Sequence, residues 1–194
     1  MTRYVRAPIL IGAVIVGGWV LVALLAPLIA PFDPLKSLVA LASPGARAPG
    51  GGVFWMGTDF LGRDIFSRLI YGARPVMTLS AIATLTAYAV GVCGGMAAGY
   101  LGGVTDAALS FLANVILSFP VLVIFIVIIV ALGASPLNVV IAVTFASAPA
   151  IFRIVRAITG DLKSRDFVAA AITQGESLGH ILLVEILPNA TSPL

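Results

Sequence analysis

The sequence predicts an all-α protein that crosses a membrane several times, with four transmembrane helices and a polar helical loop near its C-terminal end. Hydrophobic residues make up 60% of the chain and charged residues 10%, with a mean hydropathy of +1.14. Soluble domains average about 25% charged residues. The uncharged stretches are also long enough, at about 20 residues each, to span a bilayer as helices.

The uncharged stretches define the predicted spans. They are expected at residues 9–30, 76–100, 107–131 and 137–158. The last two come from one stretch that is too long for a single helix, and Gly133, Ser135 and Pro136 provide a turn within it. The first stretch follows Arg3 and Arg6 but exceeds the roughly 7–15 apolar residues of a signal peptide, so we expect an uncleaved span.

The loop between the first two predicted spans has two parts of different composition. Its first part is rich in Pro, Gly and Ala, which predicts an irregular backbone. From Gly62, the apolar residues Ile65, Phe66, Leu69 and Ile70 recur at helical spacing among polar ones. We therefore predict a separate amphipathic helix that lies along the membrane surface or against other spans.

Glycine and proline residues within the spans are candidates for helix packing or for a transport pathway. Gly91, Gly95 and Gly99 are four residues apart, a spacing that permits close approach of a second helix. Pro120 and Pro149 interrupt the third and fourth predicted spans, where a missing N–H kinks a helix. Such kinks line pathways in some proteins and occur in inert membrane helices in others.

Polar and charged side chains at membrane depth are few. Asn114 is the one least compatible with lipid, so we expect it to face protein or a cavity and include it with the two prolines as a candidate pathway residue. Arg153 and Arg156 end the fourth span and are expected to snorkel to the headgroups. The apolar cores of spans two to four lack charged residues, which argues against a self-contained carrier.

No residue pattern predicts catalysis or a bound metal. His180 has no Cys or His partner at metal-ligand spacing, and no phosphate-binding glycine-lysine loop occurs. The net charge of +3 is not gathered into a basic run, so nucleic-acid binding is not predicted. We predict a protein that is not an enzyme and binds no cofactor or metal itself.

Residues 166–189, DFVAAAITQGESLGHILLVEILPN, predict two short helices joined by a bend, and we name this segment the elbow. The apolar stripe of its first helix consists of Phe167, Val168, Ala171 and Ile172. Gly175 suits the end of that helix, and Ser177 suits the N-cap of the second. Pro188 either stops the second helix or marks its passage toward another span. The elbow suits a groove on another protein, the alternative being a linker that rests on lipid headgroups.

Ala169, Ala170 and Ala171, followed by Gly175 and the run Ile186-Leu187-Pro188-Asn189, form a pattern that resembles the ATPase-coupling loop of ABC importer permeases. The more specific resemblance is to the second, C-type subunit of the dipeptide/oligopeptide/nickel family. Three further stretches carry it: GTDFLGRDIFSRLIYGAR, GYLGG and APAIFRIVR. Ala169 stands where the family has Glu, so a salt bridge made by that Glu is not expected here.

The resemblance implies a fold of about six spans, of which this chain would hold four and be C-terminally incomplete. The domain organisation would be residues 1–30 for the tail and first span, 31–74 for an extracytoplasmic loop, and 75–194 for three spans and the coupling loop. It also implies a multi-pass protein of a bacterial or archaeal plasma membrane with a cytoplasmic N-terminus. Lys and Arg divide almost evenly between the two sides, so charge gives no independent orientation.

The resemblance implies partners as well. They would be a homologous permease, two ATPase subunits that use ATP and Mg²⁺, an extracytoplasmic solute-binding protein, and membrane lipids. The residues implied in coupling to the ATPase are Phe167, Val168, Ala169, Ala170, Ala171, Gly175, Ser177, Leu178, Ile186, Leu187 and Pro188. The implied function is half of a pathway for peptides. A non-transporting remnant of such a permease, or the same role for nickel or another small solute, stay open as alternatives.

Overall fold

The computed structural model describes residues 2–190, with side chains from Pro8 onward. These residues form helices α1 (Thr2–Ile29), α2 (Ile65–Leu101), α3 (Gly103–Leu117), α4 (Val121–Leu132), α5 (Pro136–Lys163), α6 (Asp166–Thr173) and α7 (Leu178–Ala190). The chain divides into two compact units, Met1–Ser80 and Ala81–Leu194. The all-helical membrane fold predicted from the composition is confirmed for the described residues.

Three of these helices are long and apolar enough to cross a membrane: α1 from Pro8 onward, α2 and α5. The predicted span at 107–131 is not one helix, because α3 and α4 meet at a bend of 91°. Pro120 causes the break, since it has no N–H and disfavours helical geometry in the residue before it. Pro120 then begins α4, its carbonyl accepting hydrogen bonds from Val123 N at 2.9 Å and Ile124 N at 3.2 Å. Pro149, in contrast, lies inside an uninterrupted α5.

By its length and composition, the bent α3–α4 pair fits either one broken span or a re-entrant loop. Asp106 in the first turn of α3 is paired with Arg156, near the C-terminal end of α5. Asn138, in the first turn of α5, donates through Nδ2 to the Leu132 carbonyl at the end of α4, at 2.8 Å. The pair thus begins at one end of α5 and finishes at the other, so we infer a broken span. The described helices then give three spans, or four with this pair counted as one, which is the number predicted.

The predicted amphipathic helix is not a separate element. Its residues from Ile65 onward form the first turns of α2, which continues through Pro75 for 37 residues. At 1.5 Å per residue this helix is about 55 Å long, compared with about 30 Å for the hydrocarbon core of a bilayer. α2 is therefore longer than one perpendicular crossing of the bilayer requires.

Arg74 fastens α1 to α2 in the first unit. Pro27 has no N–H, so the Ala23 carbonyl four residues earlier lacks its helical donor. Arg74 Nε donates to that carbonyl at 2.7 Å, and Nη2 donates to the Leu24 carbonyl at 3.3 Å. The arginine thereby satisfies a backbone acceptor at membrane depth, where an unpaired carbonyl is unfavourable.

The loop between α1 and α2 is folded by polar side chains of the GTDFLGRD stretch. Thr58 is buried, donating to the Val39 carbonyl and accepting from Ala42 N at 2.8 Å. Asp64 is also buried and caps α2, with Oδ2 accepting from Ser67 N at 2.7 Å. Thr58 thereby fixes the backbone at Val39 and Ala42, in the first part of the loop, which composition alone predicts to be irregular.

Asp59 organises the turn at the centre of this stretch. Its Oδ1 accepts from Leu61 N at 2.9 Å and Arg63 N at 3.0 Å, while Oδ2 accepts from Arg63 Nε at 2.9 Å and pairs with Arg68. Burial raises the pKa of Asp59, but the hydrogen bonds from Arg63 and Leu61 outweigh it and lower the pKa from 3.8 to about 2. The fold thus favours the ionised carboxylate.

We expect the loop to lose stability as the pH falls from about 4 toward about 2. The folded-state pKa lies below the unfolded value, so this stabilisation is present above the unfolded pKa and is lost as the pH falls through the folded one. Trp55 fluorescence in a Trp19→Phe background measures the transition, since these are the two tryptophans of the chain.

The Asp59→Asn variant should have a less stable loop at neutral pH and lack this component of the pH dependence. Asp33→Asn is the control, because the Asp33 carboxylate is exposed and accepts from Leu35 N alone among the described contacts. A wild-type acid transition in Asp59→Asn would contradict the assignment.

In the second unit, the glycine ridge of α2 lies directly against the backbone of α5. A Cβ atom placed on each glycine would approach a carbonyl oxygen of α5: Gly91 that of Ala148 at 2.9 Å, Gly95 that of Phe152 at 2.8 Å, and Gly99 that of Arg156 at 2.6 Å. The contact repeats every four residues on both helices, as expected for interdigitated ridges. Only glycine fits at these distances.

Gly95→Ala should therefore lower the free energy of unfolding by about 1–3 kcal/mol, because the neighbouring atoms are backbone and cannot rotate away. Thermal unfolding of the detergent-solubilised protein measures this effect. Gly72→Ala is the matched control on the same helix, since a Cβ there meets nothing within 4 Å. Equal unfolding temperatures for the two variants would contradict the close approach of α2 and α5.

Candidate functional site

The first half of the elbow is α6, which begins after Arg165 and ends at Thr173, two residues before Gly175. Asp166 lies in its first turn, where a negative charge is favourable to the helix dipole. Gly175 has φ +77°, a conformation that a residue with a Cβ rarely adopts. Gly175 N donates to the Ile172 carbonyl at 3.0 Å, and Glu176 N donates to the Ala171 carbonyl at 3.1 Å. These two bonds form a Schellman motif, which ends the helix as the sequence predicts.

The second half of the elbow is α7, which begins at the predicted N-cap. Ser177 Oγ accepts a hydrogen bond from His180 N at 3.3 Å. Residues Ile181–Ile186 of α7 form a π-helix, and Pro188 lies within the α-helical turn that follows it. Pro188 therefore does not stop the helix, which continues to Ala190 at the end of the described residues. The alternative, a passage toward another span, stays a prediction.

The π-helix places two apolar side chains of α7 on the same side of the helix. Its hydrogen bonds join residues five apart, so Ile181 and Ile186 face the same way, which an α-helix would not allow. Both are buried, together with Val168 and Ala171 of α6. Partly buried side chains surround this core: Tyr100, Leu162, Phe167 and Leu182. We name these eight residues the elbow core.

The residues implied in ATPase coupling divide between two sides of the elbow. Val168, Ala171 and Ile186 are buried in the elbow core, so they fix the shape of the segment. The exposed members are Ala169, Ala170, Gly175, Ser177, Leu178 and Pro188, and Phe167 and Leu187 are half-buried. Ile172, which the sequence assigns to the buried stripe, is instead 51% exposed. The exposed face is thus apolar at its centre and available for contact.

Two residues that the sequence did not indicate attach the elbow to the end of α2. Lys163, the last residue of α5, donates through Nζ to the Tyr100 carbonyl at 2.5 Å and lies 5.3 Å from the centre of the Tyr100 ring. The Tyr100 carbonyl is among the last four of α2, which lack helical donors. Tyr100 also belongs to the elbow core. Lys163 and Tyr100 are 63 residues apart in the sequence, so the sequence pattern does not predict their contact.

Arg156 does not snorkel as predicted. Its guanidinium pairs with Asp106 of α3, with Nη2 donating to Oδ2 at 2.6 Å and Nε donating to Oδ1. Ser110 Oγ also donates to Oδ1, at 3.0 Å. The Asp106 carboxylate gives Arg156 a bidentate partner within the protein. Arg153, which the sequence also predicts to snorkel, is exposed.

An apolar cavity of about 530 Å³ lies between α2, α3 and α5. Its polar lining is the pair Thr86 and Thr144, whose hydroxyls are 2.6 Å apart. Among the candidate pathway residues, Pro149 lines this cavity, whereas Asn114 and Pro120 do not. Asn114 is exposed in the described chain, because its neighbour Ala113 occupies the side of α3 toward α5. The expectation that Asn114 faces protein or a cavity therefore stays a prediction.

No metal site is apparent in the described part of the chain, which contains no group of three or more His, Cys, Asp or Glu able to hold an ion. His180 lies 3.8 Å from Glu176 and 3.9 Å from Glu185, on the partly exposed side of the elbow. Its contacts are those of a polar surface residue.

Residues 91–194 match the family described as the binding-protein-dependent transport system inner membrane component. The matched segment contains the glycine ridge, the Asp106–Arg156 pair and the whole elbow, and it makes up more than half of the chain. The chain belongs to this family. Membership agrees with the multi-pass membrane fold and with the resemblance seen in the elbow.

Individual relatives of this inner membrane component extend the similarity to the rest of the chain. The dipeptide transport system permease protein DppC of Haemophilus influenzae is 37% identical over 187 residues, which are 95% of this chain and 63% of the relative. The di/tripeptide transport system permease protein DppC of Pseudomonas aeruginosa is 33% identical over 174 residues, 89% of this chain and 57% of the relative.

A glutathione transport system permease protein, GsiD of Escherichia coli, is 38% identical over 140 residues, 72% of this chain and 46% of the relative. The chain therefore spans about half to two thirds of the length of the curated relatives it matches. The similarity to peptide permeases of this family is confirmed.

Gly175→Ala should loosen the elbow, because the left-handed conformation disfavours a residue with a Cβ by about 1 kcal/mol. Hydrogen exchange of the backbone amides in residues 166–190 should become faster by roughly fivefold. Gly179→Ala is the matched control: Gly179 lies in α7, a Cβ there meets nothing within 4 Å, and alanine favours the helix. Slower or unchanged exchange in Gly175→Ala would contradict its role as the helix end.

Proposed function

We propose that this chain is a permease subunit of a binding-protein-dependent ABC importer and forms half of a transmembrane pathway for short peptides. The observation that carries the proposal is the elbow. Its outer face is exposed beyond the end of α5, and its buried side packs against Tyr100 of α2 and Leu162 of α5. The family match covers this segment completely. The printed functions of the relatives, dipeptide, di/tripeptide and glutathione transport, favour short peptides as substrates.

The exposed face of the elbow would dock into a groove of an ATPase subunit. Ala169 and Ala170 are small and exposed, and Leu178 is 45% exposed, so a partner surface can approach the backbone closely and cover apolar area. The partner ATPases would bind ATP and Mg²⁺ and carry out hydrolysis. This chain would be a transport subunit and not an enzyme.

The buried side of the elbow would carry motion into the membrane. Val168 and Ile186 are fully buried, and the Lys163–Tyr100 contact ties the end of α5 to the end of α2. A displacement of the exposed face would therefore move the helix ends with it rather than bend a loose loop. This is the mechanical link that ATP-driven transport needs.

The proposal also gives an orientation. With the elbow on the cytoplasmic side, four crossings place the N-terminus in the cytoplasm and the loop at residues 30–64 outside. That loop would face the solute-binding protein. A homologous permease would supply the other half of the pathway, in the plasma membrane of the bacterial or archaeal cell.

The test is to tag the chain in its own host, isolate its complex from solubilised membranes, and identify the associated subunits. We expect a second permease and ATPases to co-purify. Uptake of a radiolabelled dipeptide should be lost when the gene is deleted and restored when it is returned. Absence of both co-purifying ATPases and gene-dependent uptake would overturn the proposal and favour a non-transporting membrane protein.

Adjacent alanines of the elbow provide a sharper version of this test. Ala170→Glu should reduce dipeptide uptake at least about tenfold, because it places an unpaired carboxylate in the docked face. Ala169→Glu is the matched control, since both residues are exposed and the family resemblance places Glu at Ala169. Membrane levels of both variants should equal the wild type. Full uptake by Ala170→Glu would contradict docking through this face.

A further inference from the structure

The ion pair between Asp106 and Arg156 joins α3 to the part of the second unit that holds the elbow. Arg156 uses two nitrogens of its guanidinium, Nε and Nη2, against the two oxygens of the carboxylate. Ser110 Oγ donates to Asp106 Oδ1 at 3.0 Å, so the carboxylate is held from its own helix as well. This bidentate geometry fixes both direction and distance between the helices, which a single contact would not do.

On its α5 side, the pair belongs to the rigid seam between α2 and α5. The Arg156 backbone carbonyl faces Gly99 of α2, in the tightest contact of the glycine ridge. Seven residues further along α5, Lys163 donates a hydrogen bond to the Tyr100 carbonyl, and Tyr100 belongs to the elbow core. Closely packed backbone therefore connects the elbow with the guanidinium of Arg156.

On its α3 side, the pair holds the first turn of α3, which meets α4 at a bend of 91°. The rest of α3 meets its neighbours through apolar side chains, Leu109 and Ala113 contacting Ala98 and Phe152. Such contacts permit sliding, whereas the ion pair does not. α3 and α5 also line the apolar cavity.

We propose that Asp106 and Arg156 are positioning residues for transport, which make α3 and the bent α3–α4 span follow the displacement of the elbow. This inference rests on the proposed function, since it names the contact through which elbow motion reaches the third span. Without the pair, α2 and α5 would still move with the elbow, and α3 would lag behind them. ATP hydrolysis would then proceed with less transport.

The exposure of the pair separates this role from a merely structural one. The Arg156 side chain is 42% exposed and that of Asp106 is 24% exposed. Partly exposed ion pairs contribute little to global stability. Loss of the pair should therefore leave folding and subunit assembly intact while it affects coupling.

The experiment compares Asp106→Asn, Arg156→Gln and the double variant in the complete complex, purified through a tag on this chain and reconstituted in liposomes with its solute-binding protein. Labelled dipeptide uptake and ATP hydrolysis are measured in the same sample, together with the amount of co-purified ATPase. We expect each single variant to lower uptake per ATP hydrolysed by about fivefold or more, with unchanged ATPase content. The double variant should be no worse than either single one, because the pair acts as a unit.

Two further variants serve as a conservative substitution and a charge control. Arg156→Lys keeps the positive charge but loses the planar fork, so its uptake per ATP should lie between those of wild type and Arg156→Gln. Arg153→Gln removes the same charge one helical turn earlier on α5, from an exposed side chain. It should retain the wild-type ratio.

Single variants with the wild-type ratio would overturn the inference, as would additive losses in the double variant. Loss of co-purified ATPase in proportion to uptake would also overturn it, since that result indicates a structural role. A wild-type complex without uptake would overturn the proposed function, and this inference with it. A transporting wild type with fully coupled variants would overturn the inference alone.

Discussion

The contact between the backbones of α2 and α5 is the constraint on which the rest of the second unit depends. Three glycines on α2 remove the side chains that would hold the helices apart, and carbonyl oxygens of α5 occupy the space. The close approach also brings the hydroxyls of Thr86 and Thr144 to 2.6 Å and leaves an apolar cavity beside α3. In a bilayer, where burial of apolar surface gives little drive for helix association, such close packing is the main source of stability.

The same seam determines how the elbow is held. Because α2 and α5 run together to their ends, Lys163 reaches the last turn of α2, and Tyr100 joins the elbow core. The π-helix in α7 completes that core by turning Ile181 and Ile186 to one side. Exposed segments between helices are often the least stable parts of a protein, yet the inner side of the elbow contains four buried side chains. This combination of a fixed inner side and an open outer side suits a segment that transmits force.

Three prolines show how far sequence reasoning reaches. Pro120, Pro149 and Pro188 each lack an N–H. The sequence treats the first two as interruptions and leaves open whether Pro188 stops its helix. Pro120 breaks its helix by 91°, Pro149 lies within a continuous α5, and Pro188 lies in the α-helical turn that follows the π-helix. The outcome depends on the neighbouring backbone. At Pro120 the chain begins a new helix with the Pro120 carbonyl as acceptor. Pro149 is buried within α5, and Pro188 follows a π-helix whose hydrogen bonds have a different spacing.

By itself, the sequence determined the helical membrane fold, the approximate positions of the spans, the glycine ridge and the bend at Gly175. These features follow from local chemistry: apolar length, the absence of a Cβ, and capping residues adjacent in the chain. The tertiary structure alone decided the partners of Asp106, Lys163 and Arg74, the burial of Val168 and Ile186, and the exposure of Asn114. Those outcomes depend on which helix faces lie together across 50 or more residues of sequence, and hydrophobic periodicity does not encode that arrangement.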